Sequence, residues 1–181
     1  MKLPTDHALS ERASGEVLGA QITSLQSSSV LEEVAQHAPE HVVLLNPQRQ
    51  IVYANGAYRK MAEALGSDEV YGKRFGEHMN CIHANSGEGA CGSADACRMC
   101  GAVNAVLTSL QGKVALQRCS MPIEGKEDPL HLIIFTVPVH IDNTGYILAA
   151  FVDDSTVIAH PHTLAQHAFA IQKMAARIEH G

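Results

Sequence analysis

The sequence predicts an α+β domain: a five-stranded antiparallel sheet with flanking helices, and further helices at both ends of the chain. Three observations predict it. Apolar residues make up 46% of the 181 positions, enough for a core and too many for a disordered tail. The chain then holds five strand-like runs, ordered as two strands, a helical and loop-rich stretch, and three strands. That order lacks the strand–helix alternation of a doubly wound parallel sheet, so an antiparallel sheet with helices packed on one face is expected.

Composition narrows the function. Aromatics are 4% and Trp is absent, so aliphatic side chains fill the core. Lys and Arg number 13 against 19 Asp and Glu, a net charge of −6. With no run of basic residues, the chain lacks the clustered positive face of a nucleic-acid binder. The opening residues show no secretory h-region, and no apolar run nears the roughly 18 residues of a membrane helix. A soluble, cytoplasmic protein is expected. There, five cysteines point to free, metal-bound or catalytic thiols rather than disulfides.

Three zones follow along the chain: an N-terminal helical segment (1–29), a main domain (30–155) with a cysteine-rich insertion (72–101), and a C-terminal helix (156–181). Residues 1 to about 38 read as helical. Leu18, Ile22 and Leu25 recur at helical spacing, and Ser29-Val30-Leu31-Glu32 has capping-box form for a short helix through Gln36. Val42–Leu45 and Ile51–Ala54 are β-branched, apolar runs joined by the turn-rich Asn46–Gln50, and read as a hairpin. Asn55-Gly56 breaks the strand before a helix over Ala57–Leu65, with Tyr58, Met61, Ala62 and Leu65 on one face. Ala102–Leu110 is a second helix with a stripe of Val103, Val106, Leu107 and Leu110. Val114–Met121, Leu130–Ile141 and Gly145–Val152 are the last strands, parted by Gly125–Asp128 and Asp142–Thr144. In the final zone Leu164, Ala168, Ile171, Ala175 and Ile178 step by four, three, four and three. That spacing fits either a surface helix packed on its own domain or a dimerisation helix.

The insertion carries the chemistry. Six of the 14 glycines and four of the five cysteines lie between Gly72 and Gly101. Cys81, Cys91, Cys97 and Cys100 form C-x9-C-x5-C-x2-C, with glycines that let the loop fold back. Four thiolates brought together this way suit an iron–sulfur cluster or a tetrahedral zinc ion. A single close C-x2-C pair with uneven outer gaps favours the cluster, since structural zinc usually takes two close pairs. His83, two residues after Cys81, is a substitute fourth ligand. Cys119, on a strand between Leu116 and Met121, reads as core.

Other candidates are weaker. Cys81 and His83 are the one close nucleophile–base pair, and no P-loop, G-x-S-x-G or H-E-x-x-H is present, so a non-enzyme is expected. His160-Pro161-His162 reads as helix-entry histidines rather than a metal pair. His167 as a phospho-acceptor has no ATP-binding core after it in this sequence.

Val42–Ala54 followed by Asn55-Gly56-Ala57-Tyr58 resembles the start of a PAS domain, with its "I-V-Y-A-N-x-A". The segment "G-Y-I-L-A-A-F-V-D-D-S-T" resembles the PAS ending. The stretch from "G-K-R-F-G-E-H-M-N-C-I-H-A" to "A-C-G-S-A-D-A-C-R-M-C-G-A-V-N-A-V-L" is similar to a cysteine-rich PAS subgroup of bacterial sensor histidine kinases. The resemblance covers roughly residues 30–155. It implies the PAS-like five-stranded sheet, and Cys81, Cys91, Cys97 and Cys100 as ligands of an iron–sulfur cluster, [4Fe–4S] or [2Fe–2S]. It also implies a sensor of oxygen or redox state that signals to a protein partner through terminal helices. The competing expectation is a small-molecule-binding PAS module with structural zinc. A homodimer through the terminal helices is expected from their apolar faces.

Overall fold

The computed structural model describes residues 7–64, 67, 69–86 and 89–180. Strand β1 (His41–Leu45) and strand β2 (Ile51–Ala54) form the expected hairpin. Their connector closes on Asn46, whose Oδ1 accepts from the Gln50 N–H at 2.9 Å. Arg49 sits in the left-handed region at φ +67°, uncommon for a residue with a Cβ. Strands β3 (Ala115–Met121), β4 (Leu130–Ile141) and β5 (Thr144–Asp153) complete one antiparallel sheet in the order β2-β1-β5-β4-β3. β4 and β5 join through Asp142 and Asn143, both at positive φ, the conformation of a two-residue turn that matches the twist of its strands.

Alternation of side chains along each strand gives the sheet two apolar faces, and both are covered. Val43, Leu45, Ile134, Ala149 and Phe151 face one side. Over them lie α3 (Gly56–Ala64), α4 (Phe75–His78) and α5 (Gly101–Leu110). Val42, Leu44, Ile133, Phe135 and Leu148 face the other side, with residues of α1 (Gly15–Gln26), α2 (Ser29–Val34) and α7 (His162–His180). The expectation of helices on one face is thus corrected to three layers. The reason lies in β5, where Tyr146–Val152 are all buried. A strand of continuous rather than alternating apolar residues needs cover on both sides.

The terminal helices therefore spend their apolar stripes inside the chain. Leu25, Ile171, Ala175 and Ile178 are buried, and Leu18, Ile22, Leu164 and Ala168 partly so, all in the outer core. Fully burying a large aliphatic side chain contributes roughly 1.5–3 kcal/mol, so this layer is an integral part of the fold. The spacing in α7 reports packing on its own sheet.

Several boundaries moved. Residues 7–14 are not helical, and the predicted helix begins only at Gly15, capped by Ser14 through the Val17 N–H. Residues 1–6, and Leu65 at the end of the helix predicted over Ala57–Leu65, lie outside the described residues. The cap of α2 is Ser28, which accepts from Leu31 N at 3.4 Å, one residue before the predicted box, and the helix stops at Val34. The C-terminal zone holds two helices, α6 (Asp154–Ala159) and α7, parted at His160-Pro161. Proline lacks the N–H that would continue the first of them.

Asn55 explains why the short "N-x-A" element belongs where it does. It is fully buried. Its Oδ1 accepts from Val42 N at 3.1 Å and from Tyr58 N at 3.0 Å, capping α3 while tying it to β1. Its Nδ2 donates to the carbonyls of Ala35, Ala38 and Glu40. One amide side chain joins α2, β1 and α3.

Candidate functional site

The cysteine-rich segment folds over the α3–α5 side of the sheet around a cavity of about 170 Å³. Cys81, Cys91, Cys97 and Cys100 all line it, as does His83. Its floor is apolar, including Phe75, Val106, Ile134 and Phe151. Phe75 and Phe151 stack at 4.0 Å between ring centroids. The segment that carries the sequence signal is therefore one wall of one cavity.

Each cysteine has its own anchor. Cys81 follows α4, its N–H donating to Gly76 O at 2.8 Å, and pairs in an isolated bridge with Ile123 beyond β3. Cys91 packs on Gly76, where an added Cβ would lie 2.7 Å from the Cys91 Sγ. Cys97 is buried in a 3-10 turn (Asp95–Met99) among Ala8, Ala94 and Val103. Cys100 is the N-cap of α5, at the helix end whose first N–H groups have no intrahelical partner. The next residue has to be glycine: a Cβ on Gly101 would stand 2.0 Å from the Arg118 carbonyl oxygen.

The thiols differ electrostatically. Burial pushes the Cys91 thiol up to about 12 and raises Cys81 as well. Cys100 goes the other way, lowered first by a hydrogen bond from the Cys119 thiol, with the Val103 and Ala102 N–H groups adding to it. Cys119 is core, as expected, at 3% exposure, but its sulfur lies 3.8 Å from that of Cys100.

Two buried arginines on the cavity wall were not legible in the sequence. Arg74 is 1% exposed and Arg49 7%, and both line the cavity. Arg74 donates to six carbonyls: Gln48, Gly89, Cys91, Leu9, Ser10 and Glu11. Arg49 donates to Cys91 O at 3.0 Å and to Leu9 O. These bonds lash residues 7–14 across the cysteine-rich segment as a strap, helped by Ala8 N to Gly92 O at 2.9 Å. Desolvation lowers Arg74 to about 10, so it stays cationic at neutral pH. Glu77 completes the array. It accepts from Arg74 N at 3.0 Å, Cys91 N at 3.3 Å and Arg12 Nη2 at 2.5 Å. Burial alone would raise its carboxyl, but the Arg12 and Arg74 contacts hold it below its usual value. Only the spacing of Arg74 and Glu77, three apart around a short helix, hints at this in sequence.

Four thiols share one cavity, its floor is apolar, and two guanidiniums lie on its wall. Among the described residues, no three His, Cys, Asp or Glu side chains converge as the ligands of one ion. The other sequence candidates fall elsewhere. His160 and His162 are exposed, 6.1 Å apart between ring centroids. His167 Nδ1 lies 3.2 Å from Glu40 Oε1 on the outer face. Among the described residues, no helix is long and apolar enough to cross a membrane.

No family model and no curated protein matches the chain. Solved structures do. The PAS domain of nitrogen regulation protein NR(II) from Vibrio parahaemolyticus is 16% identical, with 70% of this chain and 99% of that one covered and a TM-score of 0.46. The PAS domain of the HTR-like protein from Haloarcula marismortui is 15% identical over 75% and 98%, with a TM-score of 0.44. The PAS domain of Bordetella pertussis BvgS is 15% identical over 76% and 95%, at 0.45. Five antiparallel strands in the order β2-β1-β5-β4-β3, with α3–α5 between β2 and β3, give this chain a PAS-like α+β fold.

Proposed function

We propose that the chain is a PAS sensor domain that holds an iron–sulfur cluster on Cys81, Cys91, Cys97 and Cys100 and reports oxygen or redox state to a protein partner. The observation that carries this is the common cavity: four cysteines from separate turns of one segment line the same apolar-floored space beside two buried arginines. A cluster fills the space between its ligands, whereas a single zinc ion draws its sulfurs to about 2.3 Å. When bound, the cluster would supply reversible one-electron chemistry and a charge that changes with it. The protein's own residues do the rest. Arg49 and Arg74 offset negative charge and fix the Cys91 carbonyl, and the floor around Phe75 and Phe151 keeps water away. The strap holds the segment closed from outside. A change in the segment's hold on the cavity then biases the strap and the terminal helices, the route to a partner.

Anaerobic purification with iron, acid-labile sulfide and visible absorption tests the reading. Brown protein with iron and sulfide is expected. Each of Cys81→Ser, Cys91→Ser, Cys97→Ser and Cys100→Ser should lower iron per chain, because a hydroxyl ionises far less readily than a thiol. Folded Cys119→Ser should keep its iron. Colourless protein with one zinc per chain overturns the cluster, and full iron in Cys81→Ser moves the fourth ligand to His83.

A further inference from the structure

Cys100 faces two ways. Its side chain lines the cavity, while its sulfur lies 3.8 Å from that of Cys119 on β3, which does not line the cavity. The two sulfurs are within hydrogen-bonding distance of each other. The backbone keeps the two residues close. Gly101 brings the start of α5 so close to β3 that no Cβ fits between Gly101 and the Arg118 carbonyl. The two cysteines are thus fixed on elements that cannot separate without unpacking the core.

We propose that Cys100 and Cys119 are a disulfide-forming pair, a modification site in which Cys100 turns its sulfur from the cavity to the strand behind it. A disulfide is about 2.05 Å long, so the sulfurs, 3.8 Å apart, must close by about 1.8 Å. The oxidant is a hydroperoxide, and it reaches Cys100 first because Cys119 is 3% exposed. The Cys100 thiol attacks the peroxide oxygen, breaking the O–O bond, and becomes a sulfenic acid as one water leaves. The Cys119 sulfur then attacks the Cys100 sulfur, the S–OH bond breaks, and the departing hydroxide takes the Cys119 proton as a second water. Two thiols are oxidised and hydrogen peroxide is reduced to two waters. The disulfide itself rests on the contact between the two sulfurs. Its competition with metal binding rests on the cluster reading, because Cys100 cannot serve the cavity and Cys119 together.

The test uses the full chain with its metal removed by chelation, treated with hydrogen peroxide, alkylated and mapped by mass spectrometry. A Cys100–Cys119-linked peptide should dominate, two of the five thiols should escape alkylation, and dithiothreitol should restore both. Cys119→Ala should lose the link and Cys97→Ser should keep it. A dominant Cys97–Cys100 link, or Cys119 fully alkylated after oxidation, overturns the proposal on the unmutated protein, whatever the variants do. Protein that never carries iron yet yields the link supports the disulfide and removes only the cluster. Iron-loaded protein that forms the link without losing iron refutes the competition between the two.

Discussion

His78 shows how a single residue sets a condition on the whole domain. It is 2% exposed, with Nδ1 at 2.9 Å from the Tyr58 hydroxyl and Nε2 without a partner among the described residues. Burial lowers its pKa from 6.5, and nearby Lys73 lowers it further. Tyr58 is raised by burial and stays a neutral phenol. The fold thus accommodates the uncharged imidazole. Because the folded value lies below the unfolded one, the stability contribution is complete above about pH 6.5 and is lost as pH falls toward the folded value. Urea midpoints measured from pH 8 down to about pH 5 should drop in the wild type, and His78→Leu should flatten that part of the profile. An equal drop in both proteins would show that other groups carry it. Asn55 is the opposite case at this scale. Its place after a β-branched run and before a helix marked it in sequence, and the structure supplies the five bonds that explain it. Arg74 and Arg49 gave no such sign, since burial of a cation depends on carbonyls contributed by the strap and by residues 89–91, distant in sequence.

Among the elements, strands were read almost to the residue because β-branched runs ended at Asn, Gly and Asp turns. β3, β4 and β5 each begin or end within one residue of the expected limits. Helix ends were harder, as Ser27, Ser28 and Ser29 are neighbouring serines, and the one that caps α2 is Ser28, with Leu31 buried in the core. The glycine of the Cys100-Gly101 pair was legible as loop composition, yet its reason is an approach between α5 and β3 that no local pattern encodes. Gly101→Ala tests that reason. The new methyl would meet backbone at 2.0 Å, so α5 must shift, at a cost of roughly 1–3 kcal/mol for such overpacking. Chemical denaturation should register that loss, and a variant as stable as wild type would mean that α5 has room to move. Gly112→Ala is the control: its Cβ would meet nothing within 4 Å, although its φ of +80° carries a strain of its own.

Across the whole molecule, the cavity wall, the β1–β2 connector and the start of the chain meet at one guanidinium. Removing it should open them together. In Arg74→Met, the carbonyls of Glu11, Gln48 and Gly89 lose the Arg74 bond while those of Leu9 and Cys91 keep Arg49, and each buried acceptor left unpaired costs about 1–3 kcal/mol. Amide exchange should quicken at Ala8, whose N–H is bound to Gly92 O, while the β4–β5 ladder stays protected. Uniform loss of protection across the sheet would instead mean global unfolding, and unchanged exchange at Ala8 would mean the strap holds without Arg74.

The strap also has a destination. After its contacts at Arg74 and Gly92 the backbone passes Gly72, where Arg12 donates to the carbonyl at 3.1 Å, and Gln50, whose Oε1 accepts from Ala13 N at 2.8 Å. It then enters α1, where Leu18 already belongs to the outer core. Between Ala8 and Leu18 the chain rounds the rim of the sheet at β2, from the layer that holds the cysteines to the layer that holds the terminal helices. Tension in the cysteine-rich segment therefore has a tether to the far side that bypasses the tightly packed interior. The sheet can stay a rigid plate while its two coverings are tied along the edge by the strap and the side chains of Arg12, Arg49, Arg74 and Gln50 that hold it.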